Sequence, residues 1–140
     1  MTGYTVEQVA WRDKMAQLRA IRYTVFVEEQ RVPVAEEWDG RDENAIHVLA
    51  VTAAALPVGT ARLLDTGQIG RMAVLHEHRR QGIGSAMLLR LIGIASDNRL
   101  SDVFLNAQIE AVGFYQSHGF VGTGPTFMEA GIVHRKMVLR

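Results

Sequence analysis

A chain of 140 residues, 48% of them hydrophobic, can fill one complete core and lacks the material for two ordinary domains, so residues 1–140 read as a single domain. Lysine plus arginine (15) balances aspartate plus glutamate (15), which excludes the basic excess that gives nucleic-acid binders their sequence-independent affinity. The chain has no cysteine, hence no disulfide framework, thiolate metal site or cysteine nucleophile. It also lacks a signal-peptide pattern and a bilayer-length apolar stretch, so a soluble cytoplasmic protein with no membrane partner is expected.

Tyr4 to Ala10 alternates as a first strand, and Trp11, Met15, Leu18, Arg22 and Val25 then recur at helical spacing, predicting a helix from about Arg12 to Phe26. Glu28-Glu29-Gln30-Arg31-Val32-Pro33 breaks that pattern, and the acidic, polar run from Glu36 to Asn44 reads as a loop near a site. Ala45–Ala54 and Val58–Leu64 are apolar runs parted by Leu56-Pro57 and read as paired antiparallel strands, with Gln68–Leu75 a third neighbour. From Ile83 to Ala95 apolar residues fall on nearly every face, which predicts a helix buried against a sheet and ended by Asp97-Asn98. Val103–Ala107 is a short strand, Ile109–His118 a short helix stopped by Gly119, and Ile132–Leu139 a final strand. This order predicts an α+β fold: a mixed sheet with helices on both faces.

The most informative stretch is Arg79-Arg80-Gln81-Gly82-Ile83-Gly84, between the strand Arg71–Leu75 and the long helix. A strand leads into a glycine turn, and the first free N–H groups of a helix follow, which is the arrangement of a phosphate cradle. A helix end contributes only about 0.3–1 kcal/mol to an exposed charge, so direct amide hydrogen bonds and the two arginines must supply much of the grip. Alone, the turn is also a plain strand-to-helix connection, and Tyr115 alone is also a core aromatic beside Phe114 and Phe120. His76-Glu77-His78 lacks a third ligand at metal-site spacing, so no metal is assigned.

Taken together, the Arg-x-x-Gly-x-Gly turn and the downstream Phe114-Tyr115-x-x-x-Gly119-Phe120 are far more specific than either alone. The chain resembles the GNAT superfamily of acetyl-CoA-dependent N-acyltransferases. Val25-Phe26-Val27-Glu28-Glu29-Gln30, with Glu37, Asp39 and Asp42, is similar to its ElaA-like branch. The resemblance implies a mostly antiparallel sheet of six to seven strands, splayed between the fourth and fifth. It implies acetyl-CoA as co-substrate, its pyrophosphate held by amides of Gln81, Gly82, Ile83, Gly84 and Ser85 with Arg79 and Arg80 alongside. Pantetheine would lie in the splay against the backbone of Met72, Ala73 and Val74, the amide near Val74 facing the thioester oxygen. Tyr115 matches the family's general acid. Gln108 stands where many relatives carry an asparagine that contacts the cofactor.

An amine with a pKa near 10.4 is less than about one part in 10³ nucleophilic at neutral pH, so some group must take its proton. Glu28, Glu29, His47 and His134 are the candidates, directly or through water. The expected reaction is direct transfer of an acetyl group to a primary amine of a small molecule or peptide, the acidic loop mildly favouring a cationic acceptor. A CoA-binding module without catalysis is the alternative. Dimers are common among relatives, which leaves a homodimer open.

Overall fold

A computed structural model of the chain describes residues 3–140. Its seven strands are β1 (Tyr4–Val9), β2 (Ile46–Thr52), β3 (Pro57–Leu63), β4 (Gln68–Val74), β5 (Phe104–Gln108), β6 (Phe120–Glu129) and β7 (Ile132–Leu139). They form one sheet in the order β1-β2-β3-β4-β5-β7-β6. Only β4 and β5 run parallel, with α3 (Ile83–Asp97) as their crossover. The remaining helices are α1 (Trp11–Arg22), α2 (Val34–Glu37) and α4 (Val112–Gln116). None of the helices among the described residues is long and apolar enough to cross a membrane.

Alternation along the central strands explains why helices cover both faces. Val48 and Ala50 of β2 pack with Met87, Leu88 and Leu91 of α3, whereas Leu49 joins Leu18, Ile21 and Val25 on the α1 side. Burying side chains of this size is worth about 1.5–3 kcal/mol each, so both faces hold their helices largely by apolar area.

Three segments differ from the sequence expectation. The first helix does not stop at Phe26: it widens into a π-helical segment, Tyr23–Glu29, closed by a Gln30 N–H bond to the Val25 carbonyl at 3.0 Å. Apolar periodicity carries no signal for that widening, which buries Val25 and Phe26 and leaves Glu28 and Glu29 outside. The acidic segment begins as the short helix α2. Between Gly119 and Ile132, where no element is expected, β6 forms the sheet edge. Gly122, Gly124 and Pro125 interrupt its alternation, its pairing skips between Gly122 and Thr126, and most of its side chains are exposed.

The sheet opens where the site lies. Pairing of β4 with β5 is confined to Gln68↔Phe104 and Ile69↔Leu105. Immediately beyond, the β3–β4 register shifts and Arg71 takes a left-handed conformation (φ 50°), a bulge that turns the rest of β4 away from β5.

Candidate active site

Between β4 and α3 the chain forms a 3₁₀ turn at His76–His78, then passes Arg80 (φ 64°) and Gly82 (φ 82°). Gly82 caps α3 in the left-handed region, where its missing Cβ avoids a cost of about 1–2 kcal/mol. Ala86 is the first residue of the helix to bond back, to the Gly82 carbonyl at 3.0 Å, and no side chain caps the end. The N–H groups of Ile83, Gly84 and Ser85 therefore find no acceptor among the described residues. A Cβ built on Gly84 would come no nearer than 3.6 Å to the Phe114 ring, so the protein's own packing does not demand glycine there. Free donors beside a position open to an approaching group suit a phosphate.

From this turn a cleft of about 970 Å³ runs into the opening between β4 and β5. Leu75 donates its N–H to the Val58 carbonyl of β3 at 2.9 Å. Because neighbouring residues of a strand alternate in direction, Val74 and Met72 aim their backbone groups the other way, into the gap. The Val74 carbonyl accepts from Arg79 Nε at 2.9 Å, leaving the Val74 N–H facing the cleft. Ala73 faces the opposite way, its side chain buried with the α1 cluster. Across the gap the Tyr115 hydroxyl donates to Met72 Sδ at 3.8 Å, and its ring lies edge-on to Phe114 and Phe120. Burial pushes the Tyr115 phenol up to about 12, so it is protonated throughout the neutral range.

The described chain matches, over residues 4–140, the acetyltransferase (GNAT) domain. The chain belongs to the GNAT acetyltransferase family. It is 38% identical over 122 residues to the uncharacterized N-acetyltransferase YjcF of Bacillus subtilis, covering 84% of this chain and 86% of that protein. Among solved structures it is similar to Escherichia coli ElaA, with a TM-score of 0.86, 25% identity and coverage of 97% and 99%. An acyl-CoA N-acyltransferase from Pseudomonas aeruginosa gives a TM-score of 0.83 at 28% identity, with both chains covered fully. The splayed, mostly antiparallel seven-stranded sheet is thus the GNAT fold.

In this GNAT domain the cleft gathers Met72, Ala73, Val74, Gln108 and Tyr115 at the gap. Arg79, Arg80, Gly82, Ile83, Gly84 and Ser85 line its end beside α3, and Gln81 stands outside. Arg79 does not point at the α3 N-terminus: its Nη1 and Nη2 each bond Glu29 at 2.7 Å. That hydrogen bond from Arg79 holds the Glu29 carboxyl below its usual range and makes it a poor proton acceptor. Ser85 Oγ lies 3.0 Å from His118 Nε2, and Gln108 Nε2 donates to Gln30 Oε1 at 2.8 Å.

The candidate bases separate clearly. Glu28 and Glu29 are both exposed and neither lines the cleft, Glu29 being held by Arg79. His47 is 1% exposed under Trp11, with Nε2 2.9 Å from the Asp42 carbonyl oxygen; burial keeps it below the usual histidine range. His47 does not line the cleft, whereas His134 does.

The acidic run is not a free anionic surface. Glu37 meets Arg22 at 2.6 Å and Arg71 at 3.2 Å; Asp42 meets Arg22 at 2.6 Å and Arg62 at 3.1 Å; Asp39 meets Arg62 at 2.8 Å. Burial alone would raise Asp39 and Asp42, but the hydrogen bonds from Arg62 and Arg22 bring both below the usual carboxylate range. These three acids are paired within the fold, whereas Glu36 of the same run is exposed and lines the cleft. Sequence reasoning missed this network, although Arg22 at a core-facing helical position was its signal: a buried guanidinium requires carboxylates. It also missed Gln30 and Glu129, the latter because β6 was not expected.

Proposed function

We propose that the chain transfers an acetyl group from acetyl-CoA directly to the primary amine of a small molecule or peptide. The carrying observation is one continuous path: unpaired N–H groups at the start of α3, the unpaired edge of Met72 and Val74, and the Tyr115 hydroxyl. The donor fits this path at the phosphate end, where free amides and a position without a side chain accept a diphosphate. The thioester, when bound, supplies an activated acyl carbon and a thiol leaving group.

The amides of Ile83, Gly84 and Ser85, with Arg80 nearby, hold the diphosphate. Arg79, secured by Glu29 and the Val74 carbonyl, fixes the turn to the end of β4. The Val74 N–H faces the acyl oxygen, where it stabilises the negative charge that develops during transfer. Tyr115, protonated at neutral pH, donates to the departing sulfur. Because a thiolate of pKa about 8.5 leaves tolerably unaided, this donation accelerates transfer without being indispensable.

The test is thiol release from acetyl-CoA across a panel of amines, wild type against Tyr115→Phe. Amine-dependent release that falls in the variant supports the reading. Tight CoA binding without amine-stimulated release across the panel overturns it in favour of a binding module.

A further inference from the structure

Resting on the amine-acylation reading, we infer that His134 Nε2 is the group that accepts the acceptor amine's proton, with the Ile132 carbonyl and the Phe127 ring positioning the imidazole and the Glu129 carboxylate beside it. His134 Nδ1 lies 2.7 Å from the Ile132 carbonyl oxygen. A carbonyl can only accept, so the ring proton sits on Nδ1 and neutral Nε2 keeps a free lone pair. Phe127 stacks on the ring at a centroid distance of 5.8 Å, and Glu129 Oε2 stands 3.8 Å from Nε2, where it stabilises an imidazolium.

Strand register places this pair. His134 is directly opposite Gln108, the last residue of β5, so it lies one strand spacing, about 4.8 Å, from the edge of the gap. Ile132, two residues away and on the same face, packs with the α1 cluster, and Gln108 reaches Gln30 on that side. Tyr115 instead packs with the α3 cluster on the opposite face. The two titratable groups therefore approach the opening in the sheet from its two sides. An amine entering on the α1 side meets His134, while sulfur departs toward Tyr115.

The proton balance closes. Transfer forms a C–N bond and breaks the C–S bond, and an ammonium becoming an amide sheds two protons. One is made good on sulfur through Tyr115, and the other leaves to solvent through His134 Nε2. The charged groups facing His134 are Glu129 from β6 and Lys136 two residues along β7, whose ammonium lies over the Phe104 ring at 4.9 Å. Gln108, Asn106, Gln30 and Phe127 are uncharged.

The experiment measures kcat/KM for an alkyl amine against pH, in wild type, His134→Gln and Glu129→Gln, with KM for acetyl-CoA measured in each. His134→Gln is expected to lose about 10²–10⁴-fold at pH 7 with KM for acetyl-CoA unchanged, and to recover as pH approaches the amine's own pKa. An acceptor of low pKa, such as methoxyamine, should be acylated by this variant nearly as fast as by wild type. Glu129, with its exposed side chain, tolerates replacement, and its variant should lower kcat/KM for the amine near neutral pH with KM for acetyl-CoA unchanged. If His134→Gln misfolds, the Glu129→Gln profile decides alone. Unchanged profiles in an active enzyme overturn the assignment of His134, whereas a wild type without amine-dependent thiol release overturns the acylation reading itself.

Discussion

Replacing Gly84 with alanine should move stability and cofactor affinity in opposite directions. In a helix, alanine is favoured over glycine by about 0.5–1 kcal/mol because the unfolded chain loses freedom. The added Cβ meets Phe114 at 3.6 Å, an ordinary contact, so nothing in the fold opposes that gain. The thermal midpoint should stay level or rise by roughly 2–4 °C for a chain of this size. The same methyl group stands beside the donors that would hold a diphosphate. Displacing one charge-assisted hydrogen bond there costs about 1.5–3 kcal/mol, which lowers CoA affinity by at least about tenfold. Isothermal titration with CoA measures the loss, and titration with pantetheine, which lacks the diphosphate, should show no difference from wild type. Equal CoA affinity in wild type and Gly84→Ala, or an equal loss for pantetheine, would refute the placement of the diphosphate at the start of α3.

Tyr115→Phe should lower kcat by about 10²–10⁴-fold in steady-state thiol release, with KM for acetyl-CoA unchanged. Its hydroxyl reaches only a thioether sulfur, so removing it should leave the melting temperature nearly unaltered. Arg22→Met leaves Glu37 and Asp42 buried without their closest cation and should destabilise by about 3–5 kcal/mol, a fall of roughly 10–20 °C by differential scanning calorimetry. Asp39 and Asp42 titrate lower in the folded chain than in the unfolded one. The stability they contribute is therefore complete above the unfolded value, near 4, and is lost as pH falls below it, so thermal melts between pH 7 and pH 2 should decline in that acid window.

Elements governed by a simple period were legible in the sequence, and those governed by distant partners were not. The strands β2, β3, β4 and β7 are mainly apolar segments set off by turn residues, and α3 carries apolar residues on nearly every face, so their ends fall close to expectation. The glycine turn before α3 was legible because glycine at a helix start has a local backbone meaning, and Gly82 takes a left-handed φ of 82° there. The π-helical segment at Tyr23–Glu29 depends on tertiary packing of Val25 and Phe26 and leaves no mark in the local pattern. Arg79 and Glu29 are fifty positions apart, so no spacing rule could reveal that one occupies the other. The four proposed bases likewise look alike in sequence. Burial separates out His47, an ion pair separates out Glu29, and exposure away from the cleft separates out Glu28.

The buried ion network and the opening of the sheet meet in one residue. Arg71 holds a left-handed backbone at a position without glycine's freedom, a strain of about 1–2 kcal/mol. Its guanidinium offsets that strain by donating to the Glu37 carbonyl at 3.1 and 3.3 Å and by meeting the Asp39 carboxylate at 3.3 Å. The bulge so held is the point where β4 departs from β5. Glu37 and Asp39 therefore bear on the shape of the cleft: by binding Arg71 they hold the bulge beyond which Met72 and Val74 part from β5.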